Sequence, residues 1–157
     1  MARAAEEIVA HLAPESPLLV ANRLHPSIWD SASPLWSAGL YRVAVANAAA
    51  ALSAHIADRS GITNMTDRAL VQHVFGPKAP LPGQVRLHLP GDVTSDTWRS
   101  RQEGLHMVAI GAFAGIRNVA AHTTEEWSEQ VALELLALLS TVARWAEDTE
   151  HVVGVKD

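Results

Sequence analysis

The sequence contains no cysteine, and that absence removes disulfides, thiol catalysis and cysteine-bound zinc together. No uninterrupted apolar run reaches the ~18 residues that a membrane span needs. The first residues, Met1-Ala2-Arg3 and then Glu6-Glu7, lack the apolar core of a secretory signal. The expectation is a cytoplasmic protein with no membrane partner. An excess of basic residues is missing too. The net charge is -5, which weighs against a surface that coats nucleic acid by bulk charge. It leaves room for an enzyme that holds RNA in a small basic pocket. There is no nucleophile-elbow serine and no glycine-rich phosphate loop. The eight histidines, His11, His25, His55, His73, His88, His106, His122 and His151, include no pair at the three- or four-residue helical spacing of a metal-ligand set. No metal and no other cofactor is expected.

What remains is a helical composition rich in Ala and Leu. With 157 residues, 48% hydrophobic and 18% charged, the chain is long enough to bury a core and too apolar for disorder. Residues 2–12 predict a short helix, stopped by Pro14 and Pro17. Leu24-His25-Pro26-Ser27-Ile28-Trp29 predicts an ordered turn. Ser33-Pro34 then predicts a helix start, a cap followed by proline, with helix running to about Arg59. Tyr41, Val45, Ala48, Leu52 and Ile56 form its apolar stripe, and Gly61 supplies a left-handed end.

Thr66-Asp67 opens a shorter helix reaching Val74-Phe75. Residues 77–96 carry four prolines and two glycines and predict an irregular insertion, with Val85-Arg86-Leu87-His88-Leu89 alternating as a brief strand or hairpin arm. Ser95-Asp96 caps a second long helix, whose buried face is Leu105, Val108, Ala109, Ala112, Phe113 and Ile116. Thr124 with Glu125-Glu126 predicts the start of the last helix. Its stripe is Trp127, Val131, Leu135, Leu138, Val142 and Trp145, widened by Leu136 and Leu139. A helix that apolar is central in a bundle or lies at a subunit interface. The fold expected is all-α, with an N-terminal arm at 1–23, a helical domain at 24–150 and a tail at 151–157.

The segment Arg117-Asn118-Val119-Ala120-Ala121-His122 is the candidate for chemistry. If the second long helix runs through His122, Asn118 and His122 share a face with Gly111 and Gly115. Glycine costs ~1 kcal/mol against alanine inside a helix, so the pair asks for a packing or functional reason. Arg117 and His122 lie about 140° apart on an ideal helix. They converge only if the helix bends or frays, if Arg117 reaches round, or if two copies meet across a two-fold axis. The residue types suit RNA phosphodiester cleavage without a metal. Imidazole exchanges protons near neutral pH, guanidinium meets phosphoryl charge bidentately, and an amide orients the ring or holds an oxygen. The plain structural alternative is an arginine and a histidine that merely satisfy carbonyls at a helix end. Arg99 and Arg101 are the further basic candidates for substrate binding. Tyr41 is read first as core, with a place in the cleft as its second reading.

Leu24-His25-Pro26, Gly39-x-Tyr41-x-x-Ala44-Val45, Gly104-Leu105, Gly111-Ala112, Gly115-Ile116-Arg117-Asn118, Ala121-His122, Ala132-Leu133-Glu134-Leu135-Leu136, Ser140 and Arg144 together resemble the Ymh-type family of bacterial and phage proteins, within the HEPN superfamily. The resemblance runs from about residue 24 to 147. It implies an antiparallel helical bundle that dimerises so that two Arg/His motifs face one cleft. It also implies a metal-independent endoribonuclease of toxin–antitoxin, abortive-infection or other antiphage systems. Arg117 and His122 would be catalytic and Asn118 their polar helper. Proteins of this type often carry proline where this chain has Val119. Some carry a modifiable tyrosine where it has Thr124, so regulation of that form is not expected. The partners implied are RNA, a second copy of the chain, and an antitoxin or defence-system protein. The alternative from another class is a non-catalytic HEPN-like module binding nucleotide, RNA or protein, or a regulatory subunit.

Overall fold

His25, not Ser33, starts the first helix of the computed structural model, which describes residues 17–156. Helix α1 spans Pro26–Ser37, with the His25 side chain accepting from the Ser27 N–H and Pro26 at the first helical turn. Two cap-then-proline pairs compete in the sequence, and the earlier one wins, leaving Pro34 inside the helix. The single helix expected from Pro34 to Arg59 is therefore two. Gly39 takes a left-handed φ of 76°, a backbone open to glycine that no helix passes through, and α2 then spans Tyr41–Ser60. The helix expected at 2–12 lies outside the described residues.

Val45, Ala48, Leu52 and Ile56 of α2 are fully buried, as their spacing requires, and Gly61 closes the helix at φ 71°. Helix α3 spans Asp67–Val74. The second long helix is continuous from Asp96 to His122, 27 residues. It consists of α4 (Asp96–Gly111), a π-helical turn (Ala112–Arg117) and α5 (Asn118–His122). Ser95 caps it by accepting from the Trp98 N–H. By length and composition it passes for a membrane span, with a mean hydropathy of 1.2 in its most apolar window. Its Leu105, Ala109, Ala112, Phe113 and Ile116 lie in the same core as α2.

The last helix, α6, spans Glu129–Glu147 and starts later than Thr124 suggests, because Ser128 is the hydroxyl that accepts an N–H, from Val131. It is also rotated from the expected stripe. Ala132, Leu136, Leu139, Val142, Ala143 and Ala146 are buried, whereas Val131, Leu138 and Trp145 are 47%, 38% and 38% exposed. The small alanines let α6 approach the core closely and leave the larger apolar residues facing outward.

The expected strand is present, but not as a hairpin within 77–96. Strand β1 (Val85–His88) pairs antiparallel with β2 (Glu150–Val153), in the register Val85 to Val153 and His88 to Glu150. Residues expected to be the domain end and tail thus complete a two-stranded sheet. Fully buried Gln102 anchors this region to α4. Its Nε2 donates to the carbonyls of Phe75 at 2.9 Å and Leu87 at 3.1 Å, and its Oε1 accepts from the Leu89 N–H at 2.9 Å. Trp98 Nε1 donates to the Leu89 carbonyl at 2.8 Å. That is why a proline-rich insertion sits in one place.

His88 on β1 is buried, its Nε2 lies 2.9 Å from the Gly76 carbonyl, and its ring meets Trp98 edge-on. Burial holds this imidazole below its ordinary 6.5, against a raising contribution from the Gly76 carbonyl, and Arg86 adds to the lowering. A folded-state value below the unfolded one means that the unfolded chain takes up more protons as pH falls through 6.5. His88 therefore favours the fold fully above that pH and progressively less below it. The urea midpoint is expected to fall on acidification from pH 7.5 to 5.5, and less steeply in His88→Gln. Parallel slopes for the two proteins would show that His88 is not a source of the pH dependence.

Candidate catalytic cleft

Arg117 closes the π-helical turn and points toward α2 and α3. It helps line a cleft of about 300 Å³ with Ala50, Ser53, Ala54, Ala57, Thr66 and Asp67. Its side chain is 29% exposed, and its Nε lies 3.8 Å from Asp67 Oδ2. That distance is an ion pair but not a hydrogen bond, and the buried Nε has no hydrogen-bond partner among the described residues. Half-exposed pairs of this kind contribute about 0–1 kcal/mol, so an incoming phosphate can displace the carboxylate. Asp67 holds a left-handed φ of 52°, sparsely populated for a residue with a side chain, and backbone of that kind gathers at functional sites. Its N–H donates to the Ser53 hydroxyl at 2.8 Å, which fixes the turn that aims the carboxylate at Arg117.

Asn118 and His122 are exposed, and so are Gly111 and Gly115, which accords with a shared face. A Cβ added at Gly104, Gly111 or Gly115 would meet nothing within 4 Å. Nothing among the described residues asks for glycine there. Met107 is 68% and Val119 47% exposed beside them. The π-helical turn widens the helix just before Arg117, and such turns often mark functional sites. The helix continues without a break, so a single chain does not bring Arg117 and His122 together.

Arg42 is a residue that sequence spacing could not find. Its Nη1 donates to the Ala120 carbonyl at 2.7 Å, one of the last helix carbonyls without an intrahelical partner. A cation there also suits the helix dipole. Arg42 thus holds the last turn, which carries His122. Arg42→Ala is expected to cost about 1–2 kcal/mol and to speed hydrogen exchange of the 119–123 amides at least tenfold. Unchanged exchange there would mean that the turn needs no such clamp.

The other candidates lie elsewhere. Tyr41 begins α2 with its ring on Trp36, 4.7 Å between centroids, as core packing predicts. Arg99 pairs with Asp96 at 3.0 Å. Arg101 lines a separate groove with Leu89, Ser100, Gly104 and Trp145. On a helix rising 1.5 Å per residue, Arg101 is roughly 24 Å from Arg117. Within one chain, neither arginine shares the Arg117 cleft.

Residues 22–146 match the model of the Hypoth_Ymh family, described as a protein of unknown function, and the chain belongs to that family. Neither the curated proteins nor the solved structures contain a match.

Proposed function

We propose that this member of the Hypoth_Ymh family is a HEPN-like, metal-independent endoribonuclease of a toxin or antiphage system, acting in the cytoplasm as a dimer of antiparallel helical bundles. The observation that carries the reading is Arg117, a guanidinium in a cleft with no hydrogen-bond partner among the described residues. Asn118 and His122 follow on the same helix, exposed. Because one chain keeps Arg117 and His122 apart, the reaction requires a second copy. The open glycines and the exposed Met107 and Val119 on that helix supply a face where another helix can approach closely.

In the proposed cleft, Arg117 meets the charge on the phosphoryl oxygens. One His122 takes the proton of the 2′-hydroxyl, whose oxygen attacks phosphorus. The bond from phosphorus to the 5′-oxygen breaks, and the same imidazolium returns the proton to that oxygen through a water. The products are a 2′,3′-cyclic phosphate and a 5′-hydroxyl. Asn118 orients the imidazole or holds a phosphate oxygen.

The second reading, a binding module without catalysis, draws on the Asp67 carboxylate beside Arg117 and the net charge of -5. The test is incubation of the purified protein with a mixed RNA pool in EDTA, with end-group analysis. Cyclic-phosphate ends made by the wild type and not by a folded Arg117→Ala/His122→Ala double variant would support the nuclease. Intact RNA in both, with any co-purifying protein removed, would transfer the assignment to the binding module.

A further inference from the structure

The segment Leu24-His25-Pro26 is not used by the proposed chemistry, yet its histidine lies in a cluster of metal-ligating side chains outside the lining of the Arg117 cleft. We propose that His25, His55 and Glu147 form a binding site for one zinc-class divalent cation, with water as the remaining ligand. One ligand atom from each residue lies within 4.8 Å of the others. The three come from the cap of α1, the second half of α2 and the last residue of α6. No pairwise spacing in the sequence would reveal them.

His25 Nε2 and Glu147 Oε2 are already 3.2 Å apart, about the ~3.3 Å separation of two ligands on a tetrahedral ion with ~2.0 Å bonds. His25 is 4% exposed. Its Nδ1 accepts from the Ser27 N–H at 3.2 Å and lies 2.8 Å from the Ser27 hydroxyl. On binding the cation, the proton moves from Nε2 to Nδ1, where that hydroxyl accepts it in place of the cap bond, and Nε2 ligates. A ligating histidine almost always has such an outer partner. The His55 ring lies 5.2 Å from that of His25, and its Nε2 is shut from solvent without a hydrogen-bond partner among the described residues. A polar atom buried in that way is costly, and a cation would satisfy it. Glu147 is 55% exposed along its side chain and has the freedom to close the set. Two imidazoles and a carboxylate suit zinc and its neighbours over calcium or magnesium.

On α2, His55 is two residues from Ser53, which lines the Arg117 cleft, and so projects to the other side of the helix. The cation would tie the two ends of the helical domain together and would touch nothing in the proposed cleavage reaction.

The test uses the whole chain, freed of metal by EDTA and dialysed, then titrated with Co2+ and followed by visible absorption. The expected result is one equivalent bound with the strong spectrum of a tetrahedral site, displaced by Zn2+. At saturating Zn2+ the melting temperature is expected to rise by about 5–10 °C. His55→Ala should abolish the spectrum, and Glu147→Gln, on a half-exposed side chain, should weaken binding at least tenfold. No saturable Co2+ spectrum would overturn the proposal, and so would a spectrum unchanged in Glu147→Gln, which would place the ion on other histidines. These readouts do not involve RNA, so the cation site and the nuclease reading stand or fall separately.

Discussion

His122→Ala is expected to lower RNA cleavage by about 100-fold or more while leaving the melting temperature within a degree or two. The side chain is exposed and makes no hydrogen bond among the described residues, so its loss removes nothing from the fold. In the proposed reaction it removes the proton carrier, worth roughly 10²–10⁴-fold. Arg117→Ala is expected to act on a similar scale through the phosphoryl charge, and Arg117→Lys to recover only part, since a point charge replaces a fork. Asn118→Ala should cost about tenfold, the loss of one oriented hydrogen bond. The check is kcat/KM on a defined oligoribonucleotide, with thermal melts of each variant. Activity that falls only where the melt falls would make these residues structural.

Gln102→Leu is expected to destabilise the protein by about 3–5 kcal/mol, among the largest single effects in the chain. The leucine fits the volume but leaves the Phe75 and Leu87 carbonyls and the Leu89 N–H without the partner that each now has. Each unsatisfied buried group costs about 1–3 kcal/mol, and the site is fully shut from solvent. The measurement is the urea midpoint, with Ser100→Ala, at an exposed position of the same helix, as a control expected to stay within about 0.5 kcal/mol. A loss below 1 kcal/mol for Gln102→Leu would show that water or a shifted loop takes over its bonds.

Periodic features of the helices were legible because burial follows the helical repeat. The stripe of α2, the Gly61 end, the Ser95 cap and the start of α3 at Asp67 all stand where the sequence places them. Boundaries with rival signals were not legible. His25-Pro26 and Ser33-Pro34 look alike locally, and only packing decides between them. The same holds for Thr124 and Ser128 at the start of α6. Strand β2 was hidden because its partner lies about sixty residues earlier and four residues carry little pattern.

In the candidate site, spacing alone put Asn118 and His122 on one face with two glycines and set Arg117 off it. The π-helical turn has no compositional mark, and Asp67 and Arg42 reach this helix from α3 and α2. The His25, His55 and Glu147 cluster escaped a search by helical spacing for the same reason. Long-range convergence is a property of the fold, and no local pattern encodes it.

The central claim is that Arg117 and His122, held apart in one chain, meet across two copies. The most direct measurement is RNA cleavage by Arg117→Ala and His122→Ala chains, each inactive alone, after co-expression and copurification. In a statistical mixture half the dimers are mixed, and each mixed dimer rebuilds one of two composite sites, so the account predicts about a quarter of wild-type activity. No recovery in verified mixed dimers would contradict it.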